Sequence, residues 1–249
     1  MKTLIRRWAH GLGYNVEGIR YTPRQLLEPD RMRALEFDDI ICRRMHEHGR
    51  EFGFIQVGAY DGVSTDPLHK YIAACGWSGV MLEPQPGPAA RLRELYADDG
   101  RIVVVEAAVD RARGTRSLFT VEGDDLPKWV GGMASFERAH LLKHDYLVPD
   151  IAHKVRELMV SCVTFSEVIE QLPAKRLDLL QIDAEGADGH LLSLFPFERL
   201  KPSIIHWEIK NMSRAEQEAA LDLVCGHGYR VARSGGEDML AVLTEARCG

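Results

Sequence analysis

From Phe52 onward, short apolar runs alternate with stretches whose apolar residues recur at helical spacing. FGFIQV (52–57), SGVMLE (78–83), RIVVVEAAV (101–109), LDLLQID (177–183) and PSIIHWEI (202–209) read as buried strands. Helices are expected over Ser64–Cys75 with Gly76 after it, over 87–99 and over 187–200. SRAEQEAALDLVCGHG predicts another from 213, with Ser213 as its N-cap. YRVARS (229–234) and DMLAVLTE (238–245) close the chain with no helix between them. They suit an antiparallel hairpin through Ser234, Gly235 and Gly236. Strands alternating with helices imply an α/β fold: a seven-stranded, mostly parallel sheet covered on both faces, with an antiparallel last strand near 238–244.

Two stretches depart from this rhythm. Residues 1–50 carry apolar residues at roughly helical spacing and predict an N-terminal helical extension, leaving 51–249 as the main domain. Residues 110–163 hold two strand-like runs, TRSLFTV and ELMVSCVTF, around a long segment rich in Gly, Pro, Trp, His and Asp. An insertion of this kind is usually a functional lid or a surface segment. Trp129, Phe136, His140 and Tyr146 are candidates to wall a substrate pocket, and Gly131 and Gly132 give the segment freedom to close over it.

Composition narrows the classes. The 249 residues carry a formal net charge of -6, whereas nucleic-acid binders normally present a basic face. The five cysteines are odd in number and show no CxxC spacing, so neither a disulfide framework nor a zinc cluster is expected. No apolar run is long enough to span a membrane, and the N-terminus lacks the apolar core of a signal peptide. A reducing cytoplasm is the expected location.

The sharpest chemical signal is FIQVGAYDGVST, residues 54–65, a strand followed by a tight turn. Gly58 and Gly62 let the backbone turn and a ligand approach. Gln56, Ala59 and Ser64 flank that approach, and a helix start there offers N–H groups to an anion. The spacing is GxxxG, not the GxGxxG of dinucleotide-binding folds, which weakens a nicotinamide-dependent oxidoreductase reading. Glu83, followed by Pro84, ends the next strand about twenty residues on, where an acidic side chain can accept hydrogen bonds from both ribose hydroxyls of an adenosine. Glu106 and Ala107 end the third strand and are candidates to border an adenine.

LLQIDAEGADGHLL, residues 179–192, crowds Asp183, Glu185 and Asp188 around one strand-to-helix turn. Three carboxylates so close together need a helix terminus, a metal or an active-site role to coexist. The next strand adds His206 and Glu208 on one parity, with Trp207 on the other.

VGAYDG, MLEPQP, QIDAEGAD and IIHWEI, spread over about residues 52–210, make the chain resemble the FkbM family of methyltransferases, the IDxEG segment being the most specific part. Two positions depart from that pattern: Gln56 stands where an acidic residue is common, and Asp188 where Glu is usual. The resemblance implies a Rossmann-like class I methyltransferase fold and methyl transfer from S-adenosylmethionine to an oxygen of a small-molecule hydroxyl acceptor, such as a sugar, a glycolipid or a polyketide-like compound. Gln56, Gly58, Ala59, Gly62, Ser64, Glu83, Pro84, Glu106, Ala107, Ser135 and Asp183 are the candidate cofactor contacts. An alcohol is a weak nucleophile, so a base helps, and Asp183, Glu208 and His206 are the candidates. Asp183, Glu185 and Glu208 also form a set of hard oxygen ligands that Mg²⁺ accepts; metal dependence is the less favoured use of them. A non-catalytic nucleotide-binding module that kept the fold is the other alternative.

Overall fold

The computed structural model describes residues 36–48, 51–64, 66–123, 126–235 and 237–244. Ala34–Gly249 form one compact unit. Of the expected N-terminal extension, Phe37–His48 is helix α1; the part before residue 36 lies outside the described residues.

The central sheet has seven strands in the order β10-β11-β9-β8-β1-β2-β3. These are β1 (Gly53–Val57), β2 (Ser78–Leu82), β3 (Ile102–Val105), β8 (Leu179–Ile182), β9 (Ile204–Glu208), β10 (Tyr229–Ser234) and β11 (Asp238–Leu243). Every pairing from β3 across to β9 is parallel. Strand β11 runs antiparallel to both β9 and β10. The Rossmann-like sheet with an antiparallel last strand therefore forms as the alternation implies. The chain winds outward from β1 in both directions, so β1 and β8 flank the topological switch point, where open α/β sheets bind ligands beyond their carboxyl ends.

Strand parity sorts the core into two layers. Phe54, Met81, Leu179, Ile204 and Leu240 face one side and pack with Ile41 of α1, with Ile72 of α2 (His69–Cys75) and with Trp77. Ile55, Val80, Leu180, Ile205 and Ala241 face the other side. There they meet Val168 of α6 (Phe165–Glu170), Leu192 of α7 (Asp188–Leu194) and Val224 of α8 (Arg214–Gly226). Helix α3 (Pro86–Leu95) follows β2. Capping boxes start α6 at Thr164 and α8 at Ser213, the latter at the position its sequence marks.

The 110–163 interval is more ordered than its composition suggests. Strands β5 (Gly114–Val121) and β7 (Val155–Val163) pair antiparallel over eight residue pairs. They join β4 (Ala108–Val109) and β6 (Ala134–Ser135) in a second sheet of order β4-β7-β5-β6. A one-turn 3₁₀ helix (Lys128–Gly132) and two short helices, α4 (Arg138–Leu142) and α5 (Ile151–Lys154), complete it. Val121, Val130, Met133, Leu141, Val148 and Ile151 give the segment its own small core.

Candidate active site

The carboxyl edge of the sheet is where apolar strands end in polar residues. Gly58 follows β1 in the left-handed region (φ 82°), and a Cβ there would stand 1.8 Å from the Asp183 carbonyl oxygen. The turn is thus built for glycine, because the Asp183 carbonyl stands where a side chain would be. Gly62 is also left-handed, but a side chain there would meet Leu92 and Leu95 of α3. It serves packing and lines neither of the clefts described below.

Helix α2 starts at His69, not at Ser64 as the pattern predicts. Asp61 explains the delay: its Oδ1 accepts the Val63 and Ser64 amides at 3.1 and 2.7 Å. Asp66 Oδ1 takes the Leu68 amide at 2.7 Å. An Asx-type turn thereby satisfies the amides that a helix start would have offered to an anion.

Glu83 follows β2 and is only 3% exposed. Its two oxygens accept the Tyr60 and Gln85 amides at 2.9 and 2.8 Å. Burial pushes its carboxyl up to about 7, against the lowering effect of those two bonds. Tyr60 adopts φ 49°, a conformation uncommon for a bulky residue, and so aims its N–H at Glu83. Its ring stands beside Gly131 and Gly132 of the insertion, with Arg91 stacked over it at 5.5 Å.

One cleft, lined by Glu83, Pro84, Gln85, Ala107, Ser135 and Phe136 among others, is mostly apolar and bounded by Asp183 and Glu185. A contiguous cavity of about 470 Å³ continues past Gly58 to Gln56, Ala59, Ser64 and Asp66. Gln56 Nε2 donates to Asp66 Oδ1 at 3.1 Å. Gln56 Oε1 and Asp66 Oδ2 are buried with no hydrogen-bond partner among the described residues, and burial raises the Asp66 carboxyl above its ordinary value. Glu106 points elsewhere, pairing with Arg93 at the surface.

Beyond β8 and β9 sits a carboxylate cluster. Asn211 Nδ2 donates to Glu185 at 3.2 Å and to Glu208 at 3.1 Å. Burial first, then the neighbouring carboxylates, push Glu185 to about 7 and Glu208 to about 8. Burial raises Asp183 as well, and burial with Asp183 lifts Asp188 to about 7. Such a group shares protons near neutrality and titrates as a set. Asp188 accepts the Gly186 amide at 3.2 Å across the turn; it stands in the first turn of α7 without capping it by a side-chain bond. Among the described residues, no three His, Cys, Asp or Glu side chains are arranged to hold a metal ion.

The parity of β9 settles which face His206 takes. Trp207 is fully buried against the α7 and α8 layer. His206 turns to the α1 side, in register with Gln181, which is in turn in register with Gln56. His206 Nδ1 bonds Gln181 Oε1 at 2.8 Å.

Of the insertion's candidates, Phe136 and Ser135 reach the cleft. His140 is buried beside Gly186, whereas Tyr146 is 77% exposed; the Trp129 side chain lies outside what is described. Pattern reasoning missed Asp66, Gln85 and Gln181. Gln56 and Gln181 carried a signal, each being a lone polar residue in an apolar strand two positions before the strand-end Gly58 and Asp183.

A family model for the methyltransferase FkbM domain matches residues 56–231, well over half of the chain. The chain belongs to the FkbM methyltransferase family. Among solved structures it is similar to the FkbM methyltransferase of Methylobacillus flagellatus KT, with a TM-score of 0.47 and 13% identity over 78% of this chain and 44% of that one. This FkbM chain therefore spans less than half the length of the Methylobacillus protein. Cofactor-bound Rv0187 from MTB aligns with a TM-score of 0.43 and 15% identity, over 99% of this chain and 91% of that one. Precorrin-6y C5,15-methyltransferase from Geobacter metallireducens GS-15 gives 0.40 and 12%, over 86% and 95%. No curated protein matches the chain. Membership implies S-adenosylmethionine as cofactor, and this FkbM chain has the features to take it. These are a glycine turn that lines the cavity, a buried acid after β2, and buried polar atoms of Gln56 and Asp66, without partners among the described residues, on residues lining the same cavity.

Proposed function

We propose that this chain is an S-adenosylmethionine-dependent O-methyltransferase acting on a hydroxyl of a small molecule. The carrying observation is that Asp183 borders both the cavity beyond the Gly58 turn and the cluster that Glu185 and Glu208 complete. When bound, the cofactor supplies a methyl group on a sulfonium, an already activated leaving group. Glu83, Pro84, Gln85, Ala107, Ser135 and Phe136 would hold its adenosine end. Gln56, Gly58, Ala59, Ser64 and Asp66 would hold its amino-acid end. Gln56 is neutral, so the buried, unpartnered oxygen of Asp66 supplies the negative charge that a methionine ammonium needs.

The chain's own part is to orient an acceptor hydroxyl and take its proton. Asp183 and Glu208 are the groups for this. A carboxylate whose proton affinity is raised by burial and like charge is a stronger base than an exposed one once ionised. Asn211 keeps Glu185 and Glu208 in place beside them. His206 lies one row back from this edge, bonded to Gln181, and orients rather than takes the proton.

The test is a screen of hydroxylated acceptors with methyl-labelled cofactor, with and without a chelator. The expected result is transfer to oxygen that the chelator leaves intact. Loss of transfer with chelator and recovery with Mg²⁺ would assign the carboxylates to a metal instead. Calorimetry showing no affinity for S-adenosylmethionine would refute the reading.

A further inference from the structure

A second polar cleft of about 340 Å³ opens on the α1 side of the sheet, next to the cofactor cavity, with Gln181 and Asp183 as shared walls. Its volume is in the range of small-molecule sites. Glu36, Phe37 and Asp38 close it on the α1 side; His206, Ser234 and Asp238 close it on the sheet side. The register explains why it lies here. Asp238 pairs with Glu208 across β11 and β9, and Asp238 pairs with Ser234 across β11 and β10. The carboxyl edge thus brings polar side chains from three strands to one place, on the face that Phe37 covers.

The histidine is what marks this cleft as more than a group of acids. His206 is 6% exposed. Gln181 Oε1 can only accept, so the bond at 2.8 Å places the ring proton on Nδ1. Nε2 is then a lone-pair acceptor, buried and without a hydrogen-bond partner among the described residues. Asp238 Oδ2, itself an acceptor, is 4.0 Å away. Burial holds the imidazole down to about 4, so it stays neutral and cannot answer Asp238 as a cation. The Phe37 ring lies 4.7 Å from the imidazole and fixes its plane. Leaving a buried acceptor unpaired is destabilising, and a donor from a bound molecule removes that cost.

The rest of the lining points the same way. Four carboxylates, those of Glu36, Asp38, Asp183 and Asp238, border the cleft, and among the described residues no Lys or Arg does. Asp38 has its charge met by Lys70 and by the Tyr71 hydroxyl on the other side, and the Lys210 charge acts on Asp183 and Asp238 from outside the cleft. A ligand here must bring hydrogen-bond donors, and positive charge improves the match, whereas an anion meets like charge.

We propose that this cleft is the acceptor subsite and that it takes a cationic, hydroxyl-bearing molecule of the amino sugar or amino alcohol class, held through a hydroxyl on His206 Nε2 and an ammonium on the Asp238 side. The inference rests on the methyltransferase reading, because the wall shared at Asp183 is what brings an acceptor hydroxyl from this cleft to the base. His206 is a positioning residue in it.

The test is saturation-transfer NMR on the full chain saturated with S-adenosylhomocysteine, with glucosamine, methyl glucoside and glucuronate as probes. Glucosamine should bind best, methyl glucoside more weakly, and glucuronate not at all. Phe37→Trp, which fills the cleft, and Asp238→Asn should each weaken glucosamine by at least about tenfold. Both variants should hold S-adenosylhomocysteine as the parent does, which also shows that they fold. The inference is overturned if glucuronate or methyl glucoside matches glucosamine, if glucosamine binding survives Phe37→Trp unchanged, or if a chain loaded with S-adenosylhomocysteine binds none of the probes. A chain that cannot hold S-adenosylhomocysteine fails at the earlier step, and the methyltransferase reading falls with it.

Discussion

Replacing Glu83 by Ala tests the cofactor site and the electrostatics of a buried acid at once. Each carboxylate oxygen spends one lone pair on a backbone amide, Tyr60 at 2.9 Å and Gln85 at 2.8 Å. Each retains another for a ribose hydroxyl. Hydrogen bonds to a charged group are worth about 1.5–3 kcal/mol each. Losing one or both should raise the dissociation constant for S-adenosylmethionine by about tenfold to about 10⁴-fold. Stability should respond with a definite sign. The carboxyl is raised from 4.5 to about 7 in the fold, so ionising it costs folded protein more than unfolded chain. That penalty is absent below about pH 4 and reaches about 3 kcal/mol above pH 7. Alanine removes the penalty but leaves two amides without their acceptor at every pH. The melting temperature of the variant relative to the parent should therefore rise between pH 5 and pH 8. Calorimetric titration and scanning calorimetry read the two effects. Unchanged cofactor affinity in a folded variant, or a stability difference flat across that range, would sink the reasoning.

Asp183→Asn keeps shape and removes charge; turnover should fall by about 10²–10⁴-fold while S-adenosylhomocysteine affinity stays within a few-fold, and parental turnover would remove Asp183 from the chemistry. Glu185 and Glu208, held to about 7 and 8, must ionise before the cluster accepts a proton, so kcat should climb with pH through that interval and then level; a rate constant flat from pH 6 to 9 contradicts this. Gly58→Ala forces a Cβ to within 1.8 Å of the Asp183 carbonyl at φ 82°; a loss of more than about 2 kcal/mol in denaturant unfolding is expected, and a smaller loss would mean that the turn relaxes.

The sheet was legible because its strands are continuous apolar runs, and α8 because a cap marks its start, so periodicity and punctuation agree there. The final hairpin was legible from Gly235 and from the missing helix. The start of α2 was not, because side chains of Asp61 and Asp66 took over amides that a helical pattern assigns to the backbone. The two longer strands of the second sheet were legible as TRSLFTV and ELMVSCVTF, but their pairing was not, because they lie mostly at the surface and hold few buried positions. At the site, Gly58, Glu83 and Asp183 announced themselves by standing at strand ends. The roles of Gln181 and His206 depend on which residue stands beside which across three strands, and register is a property of the fold rather than of any one segment. Asp66 and Phe37 come from a loop and from a helix start that no strand pattern ties to the sheet edge.

The backbone at Tyr60 has a consequence for anyone seeking a hardier protein. A bulky residue held at φ 49° gives up about 1–2 kcal/mol that glycine would keep, so Tyr60→Gly is a natural choice in a stabilisation campaign. The same residue carries the ring that stands against Gly131 and Gly132. Glycine would retain the amide bond to Glu83 but leave the insertion without its footing on the Gly58–Gly62 turn. A more heat-resistant chain with a poorer catalyst is the foreseeable product, and a screen that selects on melting temperature alone would favour it.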